Sequence, residues 1–185
     1  MSYRLFAALP IPEPICDMLK GMQKGLDGAN WRHKENLHLT LRFYGNVSEN
    51  TAHDLDAALA EIDLPPITLR LSGVDQFGGF EPHTLWAGVK HNETLLRLAE
   101  KCARPMRELG IKKDKHTYIP HVTLAYLNHM PPQSAPELVA GYLQRHAMFE
   151  TPEFTVNRFA LYSSTPGKHQ SHYHEEASYP LLKCN

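Results

Sequence analysis

The sequence predicts an α+β fold with antiparallel strands and two similar halves. Three observations carry that reading. Strand-like and helix-like segments are mixed, without the strict alternation of a doubly wound sheet. One short unit, His-x-Thr followed by an apolar residue, occurs in "NLHLTLRFYG" (residues 36–45) and again in "IPHVTLAYLN" (residues 119–128). The chain has 185 residues, 42% of them apolar, which suits one domain with a sizeable core. No low-complexity segment or linker divides it, so residues 1–185 are read as a single domain.

The elements follow in order. "YRLFAALP" (residues 3–10) reads as a strand stopped by Pro10. A helix over 12–26 is expected from Ile15, Met18, Leu19 and Met22 at helical spacing. "LHLTLRFYG" (residues 37–45) alternates as a strand does and is closed by Gly45. Ser48 is an N-cap for a helix over 49–62, with Ala52, Leu55, Ala58, Leu59 and Ile62 on one face. "ITLRLSGVDQF" (67–77) and "TLWAGVK" (84–90) are strands separated by the turn material "GGFEPH". Residues 92–109 form the strongest helix, ended by Gly110, with Pro105 kinking it or starting its last turn. "HVTLAYL" (121–127) is a strand, residues 136–146 a short helix, and "EFTVNRFALYSS" (153–164) one long strand. "HYHEEASYPLL" (172–182) is the final strand.

Composition excludes several classes. No run of about 18 apolar residues exists to span a membrane. The N-terminal residues lack the basic lead, apolar stretch and cleavage site of a signal peptide. Cys16, Cys102 and Cys184 are too few and too scattered for a disulfide framework or a metal finger, which points to reduced thiols in a cytoplasmic protein. A formal net charge of −1 advertises no global attraction for nucleic acid. One basic run is an exception: Lys101, Arg104, Arg107, Lys112, Lys113, Lys115 and His116 form either a solvated helix end and loop or a phosphate-attracting rim.

Residues two apart on a strand share a face, so His38 stands with Thr40, and His121 with Thr123. Leu37, Leu39, Leu41 and Phe43 fall on the opposite face of the first unit, and Val122 and Leu124 on that of the second. With 12 His and 10 Thr in the chain, a bare His-x-Thr is expected roughly 0.6 times, and the apolar-flanked form only about 0.1 times. The pairing is therefore the signal.

Two imidazoles on facing strands suit acid–base chemistry near neutral pH, one taking a proton from water and the other giving one to a leaving oxygen. Each role is typically worth about 10²–10⁴-fold, or together roughly 5–11 kcal/mol of barrier. The hydroxyls suit a substrate with non-bridging oxygens, such as a phosphate diester. No carboxylate recurs beside either unit, so chemistry without a metal or other cofactor is the economical reading. A metal site stays open, because His172 and His174 in "HYH" also share a face, although an exposed edge explains them more simply.

At these residues the chain resembles the 2H phosphoesterase superfamily, named for two H-x-T-x motifs, and within it the bacterial RNA 2′,3′-cyclic phosphodiesterases, long called 2′-5′ RNA ligases. "RLFAALPIP", "ENLHLTLRFYGNV", "FGGFEPHTLWAGV", "PHVTLA" and "FALYSS" are similar, in that order, to the family's opening strand, first motif, central hairpin, second motif and late strand. The resemblance implies two pseudo-symmetric lobes, each an antiparallel sheet with helices outside, around a central cleft. It implies metal-independent hydrolysis of RNA or nucleotide 2′,3′-cyclic phosphate to a 2′-phosphomonoester, with 2′-5′ RNA ligation as a minor reverse reaction. His38 would be the proton donor to the 3′-oxygen, His121 the base, and Thr40 and Thr123 the holders of the phosphate oxygens.

The chain departs from the pattern after the second motif, where some relatives place an Arg and this chain has Ala125 and Tyr126. Arg42, expected on the face of His38 and Thr40, and Tyr126 complete the candidate substrate-binding set. Phe43, Tyr44, Phe77, Phe80 and Trp86 are candidate platforms for a nucleobase, with core packing the simpler role for each. Expected partners are RNA or nucleotide ends bearing the cyclic phosphate, with no protein partner for what reads as a monomer. Two alternatives remain: a 2H enzyme acting on another cyclic or RNA 3′-end phosphodiester, and a nucleotide- or RNA-binding module without turnover. Intact motifs in both copies argue against the second.

Overall fold

The computed structural model of the chain describes residues 2–111, 117–167 and 170–182. Lys112, Lys113, Lys115 and His116 of the basic run, and Cys184, lie outside the described residues. The order of strands and α-helices is β1 (Ser2–Pro10), α1 (Glu13–Met22), β2 (Asn30–Trp31), β3 (His38–Ser48), α2 (Glu49–Ala60), β4 (Ile67–Leu69), β5 (Leu71–Phe77), β6 (Thr84–Val89), α3 (Glu93–Glu108), β7 (His121–Tyr126), α4 (Ala135–Arg145), β8 (Phe154–Val156), β9 (Arg158–Thr165) and β10 (His172–Pro180).

The architecture is the α+β one expected, with antiparallel pairing throughout. The main sheet runs β10-β9-β1-β3-β7-β6-β5, with β2 also paired to β7. Two halves are visible in it. In each, a strand, a helix and a His-x-Thr strand follow one another: β1-α1-β3 on one side and β6-α3-β7 on the other. Within the main sheet the halves pair at Leu39 opposite Val122, and α3 packing on β3 and the β4–β8 pair also join them.

β1 lies between β3 and β9, so Leu5 to Leu9 are all buried rather than alternating. Helix α3 sends Leu95, Leu98, Ala99, Cys102 and Met106 into the core and packs against β3. Pro105 begins its last turn, and Gly110 closes it at φ 67° while the Ile111 N–H donates to the Met106 carbonyl. Ser48 caps α2 as expected, its Oγ accepting from the Thr51 N–H at 3.2 Å. Helix α1 stops at Met22, short of residue 26, and Met18 is exposed while Cys16 takes its place inside.

Three strand expectations are corrected. Gly45 does not close β3: at φ 72° it sits beside a bulge, where Tyr44 has no partner between the Leu5–Gly45 and Phe6–Phe43 pairs, and the strand runs on to Ser48. The segment 67–77 breaks at Arg70 into β4 and β5, and 153–164 breaks at Asn157 into β8 and β9. β4 and β8 leave the main sheet to pair with each other, Thr68 and Thr155 bonding through their hydroxyls at 3.0 Å.

Candidate active site

The pairing of Leu39 with Val122 fixes the site. It sets His38 across from Thr123 and Thr40 across from His121, so the four polar side chains mark the corners of a quadrilateral. The imidazoles occupy one diagonal, which in paired strands spans about 7–8 Å between backbones. Leu39, Leu41, Val122 and Leu124 anchor the strands from the buried face.

Each imidazole is held by the same device. His38 Nδ1 donates to the carbonyl of Asn36 at 2.8 Å, and His121 Nδ1 to the carbonyl of Ile119 at 2.7 Å, each two residues back. With the proton on Nδ1, Nε2 of both rings has no hydrogen bond among the described residues. Aromatic rings fix their orientation: Phe6 and Tyr173 lie 5.0 and 5.2 Å from His38, and Phe77 and Trp86 lie 5.0 and 5.7 Å from His121. Burial drives His38 down from the ordinary 6.5 to about 4, assisted by the charges of Arg32 and His121 and opposed by the Asn36 carbonyl. Burial also lowers His121, against its bond to the Ile119 carbonyl. Burial thus favours the neutral form of both imidazoles.

A second repeat follows each Thr. Opposite β1, Leu41 is skipped between the Ala8–Thr40 and Ala7–Arg42 pairs. Opposite β6, Leu124 is skipped in the same way between Trp86–Thr123 and Leu85–Ala125. A bulge slips the alternation by one residue. Phe43 and Tyr126, each five residues after its His, therefore turn outward and are 54% and 37% exposed. This corrects Phe43, expected on the core face. Tyr44 takes that place, buried with its hydroxyl donating to the Cys102 carbonyl at 3.0 Å.

The same slip corrects Arg42. It turns toward α3, close enough for its charge to oppose the upward push of burial on the Cys102 thiol and the Tyr118 hydroxyl, and among the described residues its buried Nε has no hydrogen-bond partner. It still borders a cavity of about 570 Å³ that opens between Thr40 and His121 and is also lined by Phe43, Phe77, His83 and Tyr118. A smaller cavity of about 190 Å³ lies on the far side of His38, among Phe6, Lys34, Tyr162 and Tyr173. Of the other aromatic candidates, Trp86 packs on His121 and Phe80 is 95% exposed. His172 and His174 lie exposed on β10.

Two residues were not read from the sequence. Tyr173, between those two histidines, points the opposite way and packs edge-on against His38. Arg32 is 3% exposed beside β7, its N–H donating to the Leu124 carbonyl at 2.8 Å. Its guanidinium carbon lies 5.2 Å from the ring centre of Tyr126 and 5.6 Å from that of Tyr173. Nothing in the sequence around Arg32 signals its burial, which comes from tyrosines distant in the chain.

Among the described residues no group of three or more His, Cys, Asp or Glu is placed to hold a metal ion, and no helix is long and apolar enough to cross a membrane.

Comparison with known proteins agrees with the fold. The sequence model of the 2′-5′ RNA ligase superfamily matches residues 11–168. The chain is 29% identical over 165 residues to an RNA 2′,3′-cyclic phosphodiesterase of Archaeoglobus fulgidus, covering 87% of this chain and 90% of that one. It is 33% identical over 126 residues to an RNA 2′,3′-cyclic phosphodiesterase of Bacillus subtilis, covering 65% and 69%. Among solved structures, E. coli LigT in its apo form superposes with a TM-score of 0.79 at 21% identity over 99% of each chain. A Thermus thermophilus protein, TT0787, superposes with a TM-score of 0.76 at 26% identity, over 96% of this chain and 97% of that one. With a family match spanning both His-x-Thr units and a shared fold, the chain belongs to the 2′-5′ RNA ligase superfamily.

Proposed function

We propose that this chain is a cyclic phosphodiesterase that opens RNA or nucleotide 2′,3′-cyclic phosphates to 2′-phosphomonoesters. The observation that carries the mechanism is the diagonal pair of imidazoles, each with Nδ1 tied to a carbonyl and Nε2 without a hydrogen bond among the described residues. The relatives' activity supports the substrate class.

In the proposed reaction, His121 Nε2 removes a proton from water as its oxygen bonds to phosphorus. The bond from phosphorus to the 3′-oxygen breaks, and protonated His38 delivers its proton to that oxygen. Thr40 and Thr123 donate hydrogen bonds to the non-bridging oxygens as their charge grows. Turnover leaves His121 protonated and His38 neutral, and exchange with solvent restores the pair. The same steps, with a 5′-hydroxyl attacking the cyclic phosphate in place of water, give a minor 2′-5′ ligation. The large cavity beside Thr40 receives a nucleobase against Phe43 and Phe77. Arg42 contributes through the cavity wall, and Tyr126 next to Thr123. Residues 1–185 act as one two-lobed domain, and the buried free thiols Cys16 and Cys102 suit the cytoplasm.

The test is product analysis of a 2′,3′-cyclic nucleotide incubated with excess EDTA, using wild type, His38→Ala and His121→Ala. A 2′-phosphate made by wild type alone supports the proposal. Turnover abolished by EDTA, or retained in either variant, overturns it.

A further inference from the structure

Arg32 is the strangest charge in the molecule. It is 3% exposed, and among the described residues no carboxylate forms an ion pair with it. One guanidinium N–H donates to the Tyr173 hydroxyl at 3.0 Å. Burial raises the Tyr173 hydroxyl above its ordinary range, so it remains a neutral phenol and supplies no counter-charge. The faces of Tyr126 and Tyr173 offer cation–π attraction, which offsets part of the cost of burying a cation but leaves its charge unmatched. A structural strut between two tyrosines has no need of a charge, and an uncharged side chain would pack there at lower cost.

Its position says what the charge is for. The backbone of residues 30–32 is stitched to β7, with Asn30 opposite Tyr126 and Trp31 opposite Ala125. The guanidinium, by contrast, reaches Tyr173 on β10, whose ring packs on His38. Arg32 therefore crosses from the half that carries His121 to the half that carries His38, and its charge is felt at His38.

We propose that Arg32 is the cation that receives the substrate's phosphate in this site, held in place by the rings of Tyr126 and Tyr173. The inference rests on reading the site as one for phosphodiesters and adds the source of its positive charge, which neither His-x-Thr unit contains. A guanidinium suits this task because its planar fork can offer two parallel N–H bonds to phosphate oxygens. An anion bound there also changes His38. Its negative charge offsets the positive field of Arg32, one of the lesser influences holding His38 down beside burial, and so shifts the imidazole toward its protonated form. The other titratable or charged groups around His38 are His121, Tyr173, Lys34, Glu35 and Tyr162.

The probe is inorganic phosphate, titrated calorimetrically into wild type, Arg32→Lys and Arg32→Met, with thermal melts run alongside. Arg32→Met is expected to bind phosphate about 10–100-fold more weakly, and Arg32→Lys within about tenfold of wild type. A folded Arg32→Met that binds phosphate as wild type does overturns the proposal. In wild type, NMR of the Arg32 guanidinium and the His38 ring gives an answer that no folding defect can obscure. Both signals are expected to shift on phosphate addition, with His38 moving toward its protonated form. An unmoved Arg32 signal at saturating phosphate overturns the proposal. Binding is read without turnover, so wild type that binds phosphate through Arg32 yet hydrolyses no cyclic nucleotide would refute the proposed reaction and leave this inference standing.

Discussion

The sharpest quantitative consequence of the site concerns acid stability, through His38→Asn. An Asn amide nitrogen occupies nearly the place of imidazole Nδ1, so the bond to the Asn36 carbonyl is retained while the titrating group is lost. In the folded protein His38 is driven from 6.5 to about 4, chiefly by burial. As pH falls, the unfolded chain takes up this proton near 6.5 and the folded protein only near 4. The stability that His38 contributes is thus whole above pH 6.5 and drains away between there and about 4. At about 1.4 kcal/mol per pH unit, the total is at most about 3 kcal/mol. Urea unfolding of wild type and His38→Asn, followed from about pH 7 to about pH 4, reads the difference directly. Relative to the variant, wild type should lose up to that amount, while His121 and the other histidines cancel between the two proteins. Parallel stability curves would mean that His38 is not held neutral by burial, and the account of the site's charge would fail.

Three further outcomes are expected. The alkaline limb of kcat should lie at higher pH than that of kcat/KM, because bound phosphate raises His38 whereas the free enzyme keeps it low; coincident limbs would contradict this. Gly88→Ala should destabilise the protein by about 1–3 kcal/mol in chemical denaturation, since a methyl there would sit 2.6 Å from the Ser72 carbonyl oxygen across the β5–β6 pair. Ser48→Ala should cost about 1 kcal/mol by removing the α2 cap, with turnover of cyclic nucleotide unchanged.

The core of the site was legible because a strand's alternation is written in its residues. Placing His38 with Thr40, and His121 with Thr123, needed no more than a period of two. What followed each Thr was not legible. A bulge depends on how a partner strand is registered, and nothing within "LRFY" reveals that β1 will skip Leu41 and then Tyr44. Phe43 and Tyr44 therefore exchanged faces relative to simple alternation, and Arg42 turned toward α3. The breaks at Arg70 and Asn157 were hidden for a related reason, since β-rich segments read as continuous whether or not they change sheets. Arg32 escaped because a strand of two residues carries no periodicity, and its burial comes from tyrosines far off in sequence, at 126 and 173.

The lone pairing of Leu39 with Val122 makes the middle of the sheet its weakest seam. On either side of it the ladders are long, with nine residue pairs between β1 and β3 and five between β6 and β7. Strand pairing does little to resist opening along this line, so the packing of α3 on β3 and the bond from Arg32 to Tyr173 are what keep it shut. Because the four polar side chains of the candidate site straddle that line, denaturant that loosens this packing should erase activity while circular dichroism is still native-like. Amide exchange at the seam should then report on the enzyme's working order more faithfully than any measure of its fold.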